Sequence, residues 1–279
     1  LMKKKLSNIA GVTLIEILIG ILISVVMMGA MFTSYTVVNN TYSQVTDRAK
    51  ISTAGRDVVG MIMRDIRNAG FMYFNDNIKT SNEHIPILIT KYVNFSECDK
   101  IDIVYGDVNY KQGRTPAYIY ERYKITYKCK KSTIPDKTQP QLGGGGYPPI
   151  DAFAVYKKKV KWNNTSGRWD DPTTDNNDKT YDDQLVVDYV DDMIFNPVDE
   201  KGVLINPPPS ATNVNKDLIY KIKTVDIALT VRSTKNFFRN SKIRDVFALK
   251  DSTRNKKKTD KYLRDTIIVT AHARNLGME

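Results

Sequence analysis

The chain has 279 residues, with 42 Lys and Arg against 31 Asp and Glu, so its formal net charge is +11. It is 41% hydrophobic and 26% charged, an ordinary globular composition that excludes wholesale disorder, a collagen-like fibre and a disulfide-knotted miniprotein. Two cysteines cannot build a cysteine-rich zinc finger, and two histidines leave little for a histidine-rich metal site.

The apolar residues are concentrated near the N-terminus. Residues 12–33 carry one charged side chain, Glu16, and a helix needs roughly 20 apolar residues to cross a bilayer. The three lysines at 3–5 place the N-terminus in the cytoplasm and the long C-terminal part outside, by the positive-inside rule. A secretory signal would have its small residues after the apolar run, whereas the Ala-Gly pair at 10–11 comes before it. We therefore predict a transmembrane segment over 12–33.

The start of this segment resembles a known processing signal. The run Gly11-Val12-Thr13-Leu14-Ile15-Glu16 is similar to the class III leader motif of type IV pilins and type II secretion pseudopilins. The resemblance implies a leader over 1–11, cleavage after Gly11 by prepilin peptidase, and N-methylation of the new N-terminus at Val12. The family usually has Phe at that position, so Val12 departs from its pattern.

The same resemblance implies a place in the cell and a set of partners. The subunit would sit in the inner membrane as a single-pass protein in contact with the lipid bilayer, with a periplasmic head. An inner-membrane assembly platform would then move it into a pilus fibre or tip, beside major and other minor pilins.

Glu16 is a carboxylate within a spanning helix, which is costly and by default indicates a function. In a bundle of packed N-terminal helices, Glu16 of one subunit can pair with the positive amine at Val12 of an incoming subunit. Either charge alone would be costly in an apolar core. We therefore predict that Glu16 sets the register of assembly.

The helix is expected to continue beyond the membrane. Apolar residues recur at three- and four-residue spacing, as on one face of a helix, at Ile51, Ala54, Val58, Met61, Ile62, Ile66 and Ala69. Gly70 follows as the expected C-cap, and no proline occurs before Pro86. The sequence predicts one helix over 12–70, whose outer half packs one face on a globular head.

From residue 71 onward, short β-type runs alternate with turn residues. The expected strands are 85–93, 100–105, 117–122, 123–129, 152–160, 184–188, 191–195, 222–232 and 265–273. Variable loops are expected at 143–184 and 250–264. The predicted fold is α+β: a long N-terminal helix packed on a mostly antiparallel, β-rich, pilin-like head over 71–279.

Four short segments resemble one class of pilin more specifically. Residues 64–71 (RDIRNAGF) are similar to the segment that ends the helix in PilW-type minor pilins, and 185–192, 225–233 and 269–276 resemble later strands of that family. This implies a minor pilin that helps to prime pilus assembly or to form the tip. The J-type minor pseudopilin of type II secretion has a related architecture and stays open as an alternative.

The two cysteines, Cys98 and Cys129, lie in β-type segments of a head expected in a compartment that permits disulfides. An even count fits one bridge. Two separate buried thiols are the alternative, because the sequence does not supply the Cα separation that a bridge requires.

An acidic tract is a candidate calcium site, because oxygen-rich loops suit Ca²⁺. Its candidate ligands are Asp170, Asp171, Asp175 and Asp178. The spacing of an EF-hand is absent, and the alternative is a solvated loop.

A basic tract over 250–264 meets the electrostatic requirement for binding DNA. Its centre is the run Lys256, Lys257 and Lys258. Aromatic residues for stacking on bases are nearly missing from it, so a solvated hairpin loop is the alternative.

No catalytic motif is present: the sequence lacks GxSxG, HExxH and a Walker A lysine, and His84 and His272 are isolated. We therefore expect no enzymatic activity and no resident cofactor, with a membrane-anchored enzyme as the alternative. The head is rich in aromatic residues, and Trp162 and Trp169 are the first candidates for binding a glycan or a protein. A pilus-borne adhesin or DNA-uptake receptor that contacts a host surface or DNA is thus a further alternative.

Overall fold

The computed structural model describes residues 11–71, 82–92, 98–110, 112–174, 179–210, 214–246, 249 and 256–276. The expected leader lies outside the described residues except for Gly11. The chain divides into two compact units, Leu1–Asp47 and Arg48–Glu279, which are described separately below.

One α-helix, α1, runs over Leu14–Asn68, where the sequence predicts a helix over 12–70. Just beyond its end, Gly70 has a φ of 72°, the left-handed conformation that glycine tolerates at a helix C-cap. The Gly70 N–H donates to the carbonyl oxygen of Val104 at 2.9 Å. The end of α1 is therefore tied to a strand of the head.

The strands of the head pair antiparallel throughout its described part. They are β1 (Ile87–Thr90), β2 (Lys100–Tyr110), β3 (Tyr118–Lys131), β4 (Phe153–Asn163), β5 (Arg168–Trp169), β6 (Tyr181–Val198), β7 (Thr224–Arg232), β8 (Lys242–Val246), β9 (Lys256–Asp260) and β10 (Arg264–His272). The main sheet has the order β1-β2-β3-β4-β6-β7-β10, with β5 paired to β4, while β8 and β9 form a separate ribbon. Short 3₁₀ helices occupy Asn82–His84 and Val214–Lys221. The predicted α+β class, one long helix with an antiparallel sheet, is confirmed.

Strand β3 is longer than the sequence predicts. Two strands are expected over 117–122 and 123–129, whereas β3 is continuous. Its pairing with β2 runs from Tyr118 to Tyr127 and so spans the expected break between 122 and 123, while its pairing with β4 begins at Tyr123.

Strand β6 likewise merges two expected strands, 184–188 and 191–195. The residues between them stay in the sheet as a bulge. Tyr189 has a φ of 60°, and the pairing with β7 shifts its register between Val190 and Asp192.

The two segments expected to be variable loops contain more strands than predicted. Strand β4 matches the strand expected over 152–160, but β5 and the start of β6 also fall within 143–184, and β9 falls within 250–264. The lysine-rich sequence of β9 has low β-propensity. It pairs with β8 along its whole length, and its Lys258 ammonium lies 3.0 Å from Asp151 and 3.2 Å from Asp191. These pairings form only in the folded chain, which is why the local sequence does not reveal the strand.

The core of the head lies between the outer part of α1 and one face of the sheet. The buried apolar residues of this helical segment are Ile51, Val58, Val59, Ile62, Ile66 and Ala69. They share one cluster with inward-facing residues of the sheet, among them Ile103, Tyr127 and Leu229. Gly55 permits a close approach to β10, because a Cβ there would lie 2.3 Å from Ile267 Cδ1.

A buried carboxylate fixes the helix against the sheet. Asp65 lies on the packed face of α1, where the Tyr127 hydroxyl donates to its Oδ2 at 2.5 Å and the Lys157 ammonium lies 2.8 Å from the same oxygen. Burial, and then the negative charge of Asp65, raises the pKa of Tyr127 above its usual range. The pairing with two donors compensates the cost of burying the carboxylate.

We predict that Asp65→Ala lowers the free energy of unfolding by about 3 kcal/mol, because it leaves the buried Tyr127 hydroxyl and the half-buried Lys157 ammonium without this partner. Chemical denaturation of the full chain, followed by circular dichroism, measures the change. Asp57→Ala is the matched control, because Asp57 is an exposed acid of the same helix and its removal should change stability by less than about 0.5 kcal/mol. Equal losses in the two variants would contradict the assigned role of Asp65.

Candidate functional site

The first turn of α1 is a capping box. The Thr13 N–H and the Thr13 hydroxyl both donate to Glu16 Oε2 at 2.8 Å, and the Glu16 N–H is 3.4 Å from the Thr13 hydroxyl oxygen. Thr13 is thus the N-cap and Glu16 its reciprocal partner at the third helical position. A Thr followed three residues later by Glu before an apolar run is the signature of this motif, and the sequence prediction, which assigned Glu16 to assembly alone, missed it.

The helix that follows exposes a continuous apolar surface. Of the described residues, α1 alone is long and apolar enough to cross a bilayer, and none of its most apolar 18-residue window is buried. The large exposed side chains include Ile15, Leu18, Leu22, Met28 and Phe32. Apolar exposure on this scale is a feature of surfaces that contact lipid or protein.

Several hydroxyl side chains of this helix are satisfied within the helix. The hydroxyls of Ser24, Thr33 and Thr41 donate to backbone carbonyls one turn earlier, at 2.8–2.9 Å. Such internal bonding suits a surface whose surroundings offer no water. Glu16 is the exception, because a carboxylate keeps acceptor capacity and charge beyond its cap. Gly11 and Val12 lie exposed directly before the helix.

The two cysteines form a disulfide in the structure. The Cα atoms of Cys98 and Cys129 are 5.6 Å apart, within the range that a bridge requires. Cys129 is in β3, whereas Cys98 precedes β2 rather than lying in a β-strand as predicted. The bridge therefore ties the chain entering β2 to the neighbouring strand.

The predicted calcium ligands are only partly described. Asp170 accepts a hydrogen bond from the Asn163 amide at 3.0 Å, and Asp171 accepts from the backbone and hydroxyl of Thr173 at 3.0 and 2.9 Å. Asp175 and Asp178 lie outside the described residues. Within the described ranges, no group of three or more His, Cys, Asp or Glu is placed to hold a metal ion.

The three lysines at the centre of the predicted basic tract lie in strand β9, where their surroundings differ. Lys258 is engaged with two aspartates, as described above, and Lys256 is half-buried with its ammonium 5.2 Å from the ring of Phe153. Burial lowers the pKa of Lys256. Lys257 is exposed between them. The three lysines therefore do not form one outward-facing cluster for a phosphate backbone.

An aromatic cluster brings together residues that are distant in sequence. Trp162 of β4 and Trp169 of β5 are cross-strand partners with ring centroids 5.2 Å apart, and the imidazole of His84 lies edge-on, 4.4 Å from the ring of Trp162. The ammonium of Lys124 lies 4.6 Å from the centroid of Trp169. Burial, helped by the positive charges of Arg122 and Lys124, lowers the pKa of His84 to about 4. No sequence motif links His84 to the tryptophans.

Comparison with known proteins gives one structural likeness. A chain described as a type IV-like pilin from Thermus thermophilus is 8% identical, with the match covering 81% of this chain and 96% of that chain at a TM-score of 0.49. No family model and no curated protein matches this chain. A likeness this weak does not assign a function.

The lowered pKa of His84 makes the free energy of unfolding depend on pH. Its folded pKa of about 4 lies below the ordinary value of 6.5, so between these values the unfolded chain binds a proton that the folded chain does not. The stability is complete above pH 6.5 and falls as the pH is lowered toward 4. We predict that His84→Gln flattens this part of the curve of unfolding free energy against pH.

An NMR titration that places His84 near 6.5 would contradict the prediction.

Proposed function

We propose that this chain is a subunit of a type IV pilus, and in particular a PilW-type minor pilin that primes assembly or forms the tip. The observation that carries the proposal is the N-terminal helix. Over residues 12–33 it is apolar and exposed, its single charged side chain there is Glu16, and a leader-like motif that ends at Gly11 precedes it. A soluble core helix would bury such a surface.

In the proposed mechanism, the chain acts by packing its helix and its head against other subunits of the filament. Prepilin peptidase cleaves after Gly11, and Val12 becomes a methylated, positively charged N-terminus. The apolar helix holds the subunit in the inner membrane until it moves into the filament core, where other subunits cover it. The β-rich head then contacts neighbouring heads.

Glu16 has two separable roles in this mechanism. Its cap on Thr13 holds the first turn of the helix, and its charge pairs with the amine of a neighbouring subunit. The pair stabilises correct register, because a mismatched subunit leaves both charges unpaired in an apolar core.

Two substitutions distinguish these roles. Glu16→Gln keeps an acceptor for the Thr13 N–H, since a capping box takes Glu or Gln, but removes the charge, whereas Glu16→Leu removes both. We predict that both variants insert into the membrane and that both reduce incorporation into filaments by at least about tenfold. Cell fractionation and quantification of the chain in sheared filaments measure the two outcomes.

Ser24→Ala is the matched control within the same apolar segment. The Ser24 hydroxyl bonds its own helix, so its loss should leave incorporation normal. Normal incorporation of Glu16→Gln would show that the cap suffices and would refute the charge-pairing role.

A minor pseudopilin of type II secretion is the second candidate, since the same helix physics serves that assembly. Deletion of the gene distinguishes the two. The proposal expects loss of pili with normal levels of secreted enzymes. Normal pili with retained secretion substrates would instead assign the chain to the secretion machine.

A further inference from the structure

The sheet carries an open groove on the face turned away from α1. Successive residues of a strand point to opposite faces. In β3, Ile125, Tyr127 and Cys129 join the core under the helix, while Lys124, Thr126 and Lys128 line the groove. Its volume is about 520 Å³, within the range of sites for small ligands.

The walls of this groove combine aromatic and charged groups. Tyr92 and Trp169 supply the aromatic surface, and Asp170 and Asp171 continue the wall that Trp169 begins. Four lysines from three adjacent strands supply the positive charge: Lys100, Lys124, Lys128 and Lys158.

Lys124 differs from the other three lysines. Each of those lies 2.9 Å from a carboxylate, in the pairs Lys100–Asp102, Lys128–Asp183 and Lys158–Asp182. Lys124 makes no salt bridge with any carboxylate in the described part of the chain, and its ammonium lies over Trp169 at 4.6 Å. Burial lowers its pKa, and Asp102 and Glu83 offset this only in part. Because no carboxylate of the described residues forms a salt bridge with it, the Lys124 ammonium can pair with a bound anion.

The chemistry of the groove selects among anions. An indole face packs well against the C–H face of a pyranose ring, and the aspartates beside it are acceptors for hydroxyl groups. The same aspartates, with Asp102, repel a polyanion such as a nucleic acid. One carboxylate on a polyhydroxylated ring meets all three features.

We propose that this groove binds an acidic sugar residue, with its carboxylate on Lys124 and its ring against Trp169. This site is separate from the assembly role of the helix. It gives the head a ligand class, an acidic glycan, that neither the leader motif nor the fold specifies.

Tryptophan fluorescence of the full chain in detergent reports on the groove directly. The chain has two tryptophans: Trp169 lines the groove, and Trp162 lies 5.2 Å from it. Titrations with D-glucuronate, D-galacturonate and N-acetylneuraminate should give a saturable change for at least one, with a Kd on the order of millimolar for so small a ligand. D-glucose and sodium acetate at equal concentration should give no saturable change.

Variants link the signal to the groove. Lys124→Met keeps the aliphatic stem and removes the charge, and it should weaken binding roughly tenfold or more. Lys137→Met removes an exposed lysine outside the groove and should leave the Kd unchanged. Trp169→Phe keeps an aromatic wall, so with Trp162 as reporter it should bind more weakly but still prefer the acid to glucose. Circular dichroism confirms that each variant is folded.

Four binding results on the unsubstituted chain would overturn the proposal. They are no saturable binding of any of the three acids, equal binding of glucose, equal binding of acetate, and tighter binding of an oligothymidylate than of the sugars. Acetate would indicate a simple anion site, and the oligothymidylate a nucleic-acid surface. Unchanged binding in a folded Lys124→Met variant would also overturn it.

Discussion

The packing of the outer part of α1 on one face of the sheet is the contact on which the head depends. It buries the apolar stripe that begins at Ile51 together with the inward residues of the sheet. Gly55 lets the helix approach β10, where a Cβ would meet Ile267. Asp65 fixes the helix through two polar partners from β3 and β4. Because one helix covers one face, the other face is left to carry the groove.

The N-terminal part of α1, unlike its outer part, does not bury its apolar side chains. Its large apolar side chains are exposed, and its hydroxyls bond back to the helix. An exposed apolar surface of this size is typical of segments that contact lipid or another protein. Glu16 is the one group there whose charge the helix does not neutralise, which is why it carries both the cap and the proposed pairing between subunits.

Many lysines of the head are paired with carboxylates of neighbouring strands. Lys128 and Lys130 of β3 both contact Asp183 of β6, and Lys258 of β9 contacts the buried Asp191. These lysines brace neighbouring strands instead of forming a surface for polyanions. Among the four lysines that line the groove, Lys124 is the one without a salt bridge to the described carboxylates, and the proposed sugar site depends on that difference.

The sequence by itself determined the long helix, its apolar segment, the position of Glu16 and the β-rich head, because periodicity and composition are local properties. It also contains the capping box, because the spacing of Thr13 and Glu16 is local. Only the tertiary structure decided that β3 and β6 run unbroken, that a lysine-rich tract is strand β9, and that His84, Trp162 and Trp169 meet. Each of these depends on hydrogen bonds, ion pairs or ring contacts between residues distant in the chain, and no local pattern encodes which distant partner will be there.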